Sequence, residues 1–139
     1  MKIAQLKNKA WRINNLYKIR DKEGHLIKFR RNRVQEHYNN NLHTRNLILK
    51  SRQLGFTTDE SLDSLDEVLF TPNRDALLIA HNLEAGESIF TKKINFAWER
   101  LHPELKQLYF VDNKTSKTLK FSFGNKGFSS IAVDTSGRS

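Results

Sequence analysis

Residues 50–57 read Lys-Ser-Arg-Gln-Leu-Gly-Phe-Thr and crowd two cations, a glycine and a hydroxyl into one short loop. An apolar run, Asn46 to Lys50, leads in, and a second threonine, Thr58, follows. The chemistry such a set offers is phosphate binding. A loop that opens a helix presents free backbone N–H groups, and the helix dipole adds positive potential there. The usual phosphate loop reads G-x-x-x-x-G-K-[ST]. Here Gly55 falls on the second glycine and Thr57 on the hydroxyl, whereas Lys50 replaces the first glycine and Phe56 the lysine. A cation is still needed beside the β- and γ-phosphate oxygens. Lys50 is the first candidate to supply it and Arg52 the second. Gly55 allows close backbone approach, and Thr57 offers a magnesium ligand. An ordinary strand-to-helix turn is the competing reading of these residues.

Other residues carry weaker chemical signals. Asp59, Glu60, Asp63, Asp66 and Glu67 are dense enough to suggest a metal cluster, but acids early in a helix favour its dipole and later ones are expected on a solvated face. Asp59 and Glu60, nearest the loop, would repel a nucleotide unless turned away. His81 follows an apolar run and is expected to be structural. Asp134 ends the run Ser129 to Val133, yet no second acid follows it. Gln35 has an amide able to donate and accept at once. Asn32-x-x-Gln35 is also a plausible helix-capping pair.

The elements that must position these residues follow from periodicity. Residues 1–16 read as a surface arm or short helix, with Trp11, Ile13 and Leu16. Residues 16–29 read as a β-hairpin around Asp-Lys-Glu-Gly. A short helix is expected from about Asn32. Residues 46–50 read as a buried strand, and 57–70 as a helix with Leu62, Leu65 and Leu69 on one stripe. The continuous apolar run 76–80 reads as a parallel strand covered on both faces. Phe90, Ile94, Ala97, Trp98 and Leu101 share one face of a long helix that His-Pro-Glu-Leu interrupts or ends. The remainder reads as short strands with turns at 112–117 and 124–127. Strand, helix, strand, helix, strands in that order favour an α/β fold with a mainly parallel sheet flanked by helices.

The 139 residues carry a net charge of +9 and 37% hydrophobic residues, enough for one modest folded domain. Residues 1–58 hold 14 Lys/Arg against 3 Asp/Glu, and residues 59–139 hold 10 against 12. That asymmetry points to a polyanionic partner for the first part. The basic segment with Trp11, Tyr17, Lys18, Arg20, Lys28, Arg30, Arg31 and Arg33 suits DNA backbone, or the docking of another domain. With no cysteine there is neither a disulfide framework nor a thiolate zinc site. No apolar run approaches the roughly 18 residues of a membrane span, and the N-terminus lacks the apolar core of a secretory signal. A cytoplasmic setting is the simplest expectation.

Residues 50–58 resemble the variant Walker A motif of large terminase subunits, ATP-driven motors that package DNA into viral capsids. Many members carry the basic residue early in the loop. Residues 11–35 are similar to the family's N-terminal stretch, which ends in an adenine-contacting glutamine. Residues 73–105 resemble its second strand and helix, and residues 129–139 resemble the segment just before its Walker B strand. The resemblance covers nearly the whole chain in the family's order. It implies a P-loop NTPase-like fold, with residues 1–45 as a basic adenine-side segment and 46–139 as part of the ATPase core. It implies ATP and Mg2+ as cofactors, with Gln35 at adenine, and Lys50, Ser51, Arg52, Gln53, Leu54, Gly55, Phe56, Thr57 and Thr58 around the phosphates. Lys50 and Arg52 would act in catalysis, and Thr57 on Mg2+. Ser136, Gly137 and Arg138 would belong to a coupling or phosphate-sensing loop.

The implied partners are double-stranded DNA, a portal protein, a small terminase subunit and ring neighbours, in the host cytoplasm of a phage or prophage. The family's catalytic glutamate comes after the matched segment. The expectation is therefore an incomplete ATPase, with a sheet incomplete at the C-terminal end and no appreciable turnover by these residues alone. A non-enzymatic, basic nucleic-acid-binding module with a degenerate loop is the alternative.

Overall fold

The computed structural model describes residues 3–21, 23–33, 35–36, 56–80, 82–115 and 117–135. A 3-10 turn at Ile3–Lys7 leads into α1, Lys9–Asn15. Asn8 caps α1 by accepting the Trp11 N–H at 3.1 Å, a side-chain partner for one of the donors a helix start leaves free. Ile13 and Leu16 are buried, so this part is a packed helix rather than a surface arm. β1 (Lys18–Arg20) and β2 (Leu26–Lys28) form the expected antiparallel hairpin, pairing Lys18 with Lys28. The helix expected from Asn32 is helical at its described residues, Arg33, Gln35 and Glu36, with the Glu36 N–H donating to the Asn32 carbonyl at 2.9 Å. The strand expected at 46–50 lies outside the described residues, as do His81 and residues 136–139.

α2 runs Phe56–Phe70 and buries Leu62, Leu65 and Leu69, as their spacing predicts. β3 is Asp75–Ala80. The long helix begins as α3 (Leu83–Ile89), passes through a π-helical segment at Phe90–Asn95 and finishes as α4 (Phe96–Glu99). Its predicted stripe, from Phe90 to Leu101, is buried throughout. Pro103 then starts a separate turn of helix, α5 (Pro103–Lys106), a position where its missing N–H costs nothing. β4 (Phe110–Lys114), β5 (Thr118–Ser122) and β6 (Phe128–Thr135) complete the described chain.

The main sheet has the order β3-β6-β5-β4. β3 and β6 are parallel, while β6–β5 and β5–β4 are antiparallel, so the sheet is mixed. The reason is connection length. The few residues between β4, β5 and β6 allow only hairpins, whereas β3 reaches β6 through α3–α5 and two strands.

The side chains of Leu119, Phe121, Ile131 and Val133 join those of α1–α5 in one core. Trp98 packs edge-on against Phe121 with centroids 4.7 Å apart. The Tyr109 hydroxyl donates to the Leu69 carbonyl at 2.7 Å, satisfying an acceptor that the end of α2 leaves open. At the other end of the sheet, Gly127 has φ 104° and lies directly under Asn73, whose amide donates to the Lys126 carbonyl at 2.8 Å. A side chain at Gly127 would strike Asn73.

The expected double cover of β3 is corrected. Among the described residues Leu77 is 62% and Ile79 57% exposed, while Ala76, Leu78 and Ala80 turn inward. The described helices pack on one face of the sheet, and period-2 alternation sends every second residue of β3 to the other.

Candidate functional site

Tyr17, just before β1, accepts the Phe29 N–H through its carbonyl at 2.8 Å, closing the hairpin against the core. The chain then runs past Arg31 to Asn32, where a capping pair forms. Asn32 N–H donates to Gln35 Oε1 at 2.7 Å, and Gln35 N–H donates to Asn32 Oδ1 at 2.9 Å. This is the reciprocal arrangement that Asn32-x-x-Gln35 suggests. It buries Gln35 to 3% exposure and fixes its amide.

That amide borders a cavity of about 380 Å³. Ile19, Ile27 and Phe29 give it apolar walls, Lys28 and Arg30 add charge, and Asn32, Gln35 and Thr58 add polar edges. Thr58 belongs to the first turn of α2. The fold thus brings Gln35 and Thr58 to one cavity at the opening of a long helix. The size falls within the roughly 300–1,000 Å³ typical of small-ligand pockets. Phe56 and Thr57 open α2 itself. Lys50, Ser51, Arg52, Gln53, Leu54 and Gly55 lie outside the described residues.

The acids of α2 correct the expectation of a solvated face. Asp59 and Asp66 are fully buried. Arg31 Nε donates to Asp59 Oδ1 at 2.8 Å, and its Nη2 reaches Asp63 at 3.2 Å. The carboxylate nearest the cavity therefore faces a guanidinium instead of a ligand. Two turns on from Asp59, Arg12 grips Asp66 through Nε at 2.9 Å and Nη2 at 2.8 Å. The Tyr17 hydroxyl donates to the same carboxylate at 2.6 Å. Arg12 also donates to the Leu6 carbonyl at 2.8 Å and lies 4.4 Å over the Phe70 ring. Lys9 stands between Asp63 and Glu67, 3.2 Å from each.

Burial pushes the Tyr17 phenol well above its ordinary pKa, with the Asp66 charge adding to it. Burial also opposes the charge on Arg12 and Lys9, but their carboxylates outweigh it and both are held more basic than usual. Among the described residues no three acids or histidines gather as a metal site.

Arg12 is the residue the sequence reading missed, and the burial of Asp59 and Asp66 is what it misread. A signal was present. Asp59, Leu62, Asp66 and Leu69 are spaced i, i+3, i+7 and i+10, so both acids share a row with two core leucines.

Fold and cavity together define a class: an α/β protein with a mixed sheet, backed by helices, and a cavity at the start of a helix. No described helix is long and apolar enough to cross a membrane. No protein-family model matches the sequence, and no curated protein is significantly similar to it.

Proposed function

We propose that the chain binds ATP with Mg2+ at the opening of α2, as the N-terminal part of a DNA-packaging ATPase of the large terminase type. The observation that carries this reading is the meeting of Gln35 and Thr58 at one cavity, from positions far apart in sequence. The cavity's chemistry fits a purine. Its apolar walls suit a planar ring, and fixed amides at its edge suit the ring's donors and acceptors. The phosphates then lie toward the first turn of α2, where the dipole and free N–H groups favour negative charge. Arg31, by neutralising Asp59, removes the carboxylate that would oppose them.

Lys50 and Arg52 supply the cations to the phosphates in this reading, and Thr57 the hydroxyl to Mg2+. ATP provides the transferable phosphoryl group, and Mg2+ neutralises its charge. Double-stranded DNA, a portal protein, a small terminase subunit and further copies of the chain are the partners that go with this reading.

The test is equilibrium binding of a fluorescent ATP analogue with Mg2+ to the full chain. ATP should compete more strongly than GTP. Lys50→Ala combined with Arg52→Ala should weaken binding by about tenfold or more. Absence of binding, or binding indifferent to both substitutions, overturns the proposal.

A further inference from the structure

A second cavity, of about 430 Å³, lies between α1, β1, β2 and the junction of α4 with α5. Its wall carries the indole of Trp11, the cations of Lys18, Lys28 and Arg100, and the imidazole of His102. No carboxylate lines it. Lys18 and Lys28 stand directly opposite each other across the hairpin. Like charges so placed repel, and among the described residues neither has an ion-pair partner. Arg100 lies 3.8 Å over the Phe96 ring and, among the described residues, makes one long ion pair, to the Glu99 carboxylate at 4.0 Å. His102 uses Nδ1 to accept the Glu104 N–H, which leaves Nε2 as the donor.

A third cavity, of about 380 Å³, continues this pattern along the same helix. Arg20, Lys92, Lys93 and Phe96 line it. Phe96 links the two cavities, since Arg20 lies 5.2 Å over its ring and Arg100 3.8 Å. The acid present, Asp21, is turned into the hairpin, where it accepts the N–H groups of Glu23 and His25. Burial and neighbouring Lys92 lower the Lys93 pKa, as expected of a cation held without an anion.

We propose that these two linked cavities bind single-stranded nucleic acid, with the Lys18–Lys28 pair, Arg100 and Arg20 on successive phosphates and Trp11 stacking on an unpaired base. Three features favour a strand. The site repeats, cation beside aromatic ring twice, as a strand repeats phosphate beside base. Each cavity is of a size for one small planar group. A duplex keeps its bases stacked inside and offers only backbone to a concave aromatic wall, whereas a single strand offers both. An anion between Lys18 and Lys28 also relieves their repulsion. The proposal does not rest on ATP binding at α2. Lys28 borders both cavities, so it is left unaltered in the test.

The test is tryptophan fluorescence of the full chain titrated with oligothymidylate of about twelve nucleotides. Trp98 is 4% exposed and Trp11 half-buried, so quenching reports Trp11. Trp11→Phe should abolish the signal. Oligothymidylate should bind at least about tenfold more tightly than thymidine monophosphate, a duplex of equal length or polyglutamate, with affinity falling as salt rises. Lys18→Glu and Arg100→Gln should each weaken it by about tenfold, with circular dichroism and binding of the ATP analogue unchanged. Lys18→Gln serves as the milder variant if Lys18→Glu alters the dichroism. Equal affinity for the monophosphate, the duplex or polyglutamate overturns the proposal, as does oligothymidylate binding that survives all these substitutions.

Discussion

Arg12 and Arg31 belong to the same basic stretch of chain as Lys18 and Lys28, yet they are put to opposite uses. Arg12 and Arg31 turn inward, where each finds a fully buried carboxylate on α2. Lys18 and Lys28 turn outward to a cavity with no acid and face each other. The inner pair works as structure. It straps the N-terminal segment to the helix that opens the candidate nucleotide site. The outer pair is exposed and, among the described residues, makes no ion pair, which leaves it available to a ligand. Charge in the first 58 residues is therefore not one quantity. Part of it is matched by carboxylates inside the molecule, and part, as at Lys18 and Lys28, is exposed.

The sharpest way to break this contrast is Asp66→Ala. It leaves the Arg12 guanidinium and the Tyr17 hydroxyl buried without their acceptor, and urea denaturation should show a loss of about 3–5 kcal/mol. Arg31→Ala comes next, at about 2–3 kcal/mol by the same measurement, because Asp59 is then a buried charge without its guanidinium. A loss below about 0.5 kcal/mol in either variant would mean that the inner cations are ordinary surface charges.

A smaller effect is expected from alkaline pH. Burial pushes Tyr109 up to about 12 from 10.0 and raises Tyr17 as well. Above pH 10.0 the unfolded chain loses phenolic protons that the folded chain retains. The stability Tyr109 contributes in this way is whole below that pH and is lost as the pH rises through about 12, and Tyr17, raised by its own burial, adds to the fall above pH 10.0. Urea midpoints measured across that window should fall, and Tyr17→Phe should flatten the fall. The smallest effect belongs to the outer pair. Lys18→Ala should change stability by no more than about 0.5 kcal/mol, with a gain expected because a like-charge contact is removed. A clear loss of stability on that substitution would erase the distinction between the two sets.

Much of the architecture was legible. The hairpin, α2, β3 and the stripe from Phe90 to Leu101 follow from apolar spacing, and spacing acts locally. The pairing of Asn32 with Gln35 was legible for the same reason, since three residues separate the partners. The acids of α2 were misread because helix spacing gives the face on which a residue sits but not what packs there. Asp66 shares a row with Leu62 and Leu69, yet its partner Arg12 is 54 residues away. The cover of β3 was misjudged in a similar way. A continuous apolar run fits a strand buried on both sides, but it does not supply the second layer.

The sequence alone determined the local elements, the uneven charge and the loop residues from Lys50 to Thr58 on which the nucleotide proposal depends. Each of these is a property of neighbouring positions, set by periodicity and turn chemistry. Only the tertiary structure decided which cations are matched and which are open, that Gln35 and Thr58 share a cavity, and that the sheet is mixed. Those outcomes depend on contacts between distant segments, where the cost of burying a charge selects its partner and the length of a connection selects the direction of a strand.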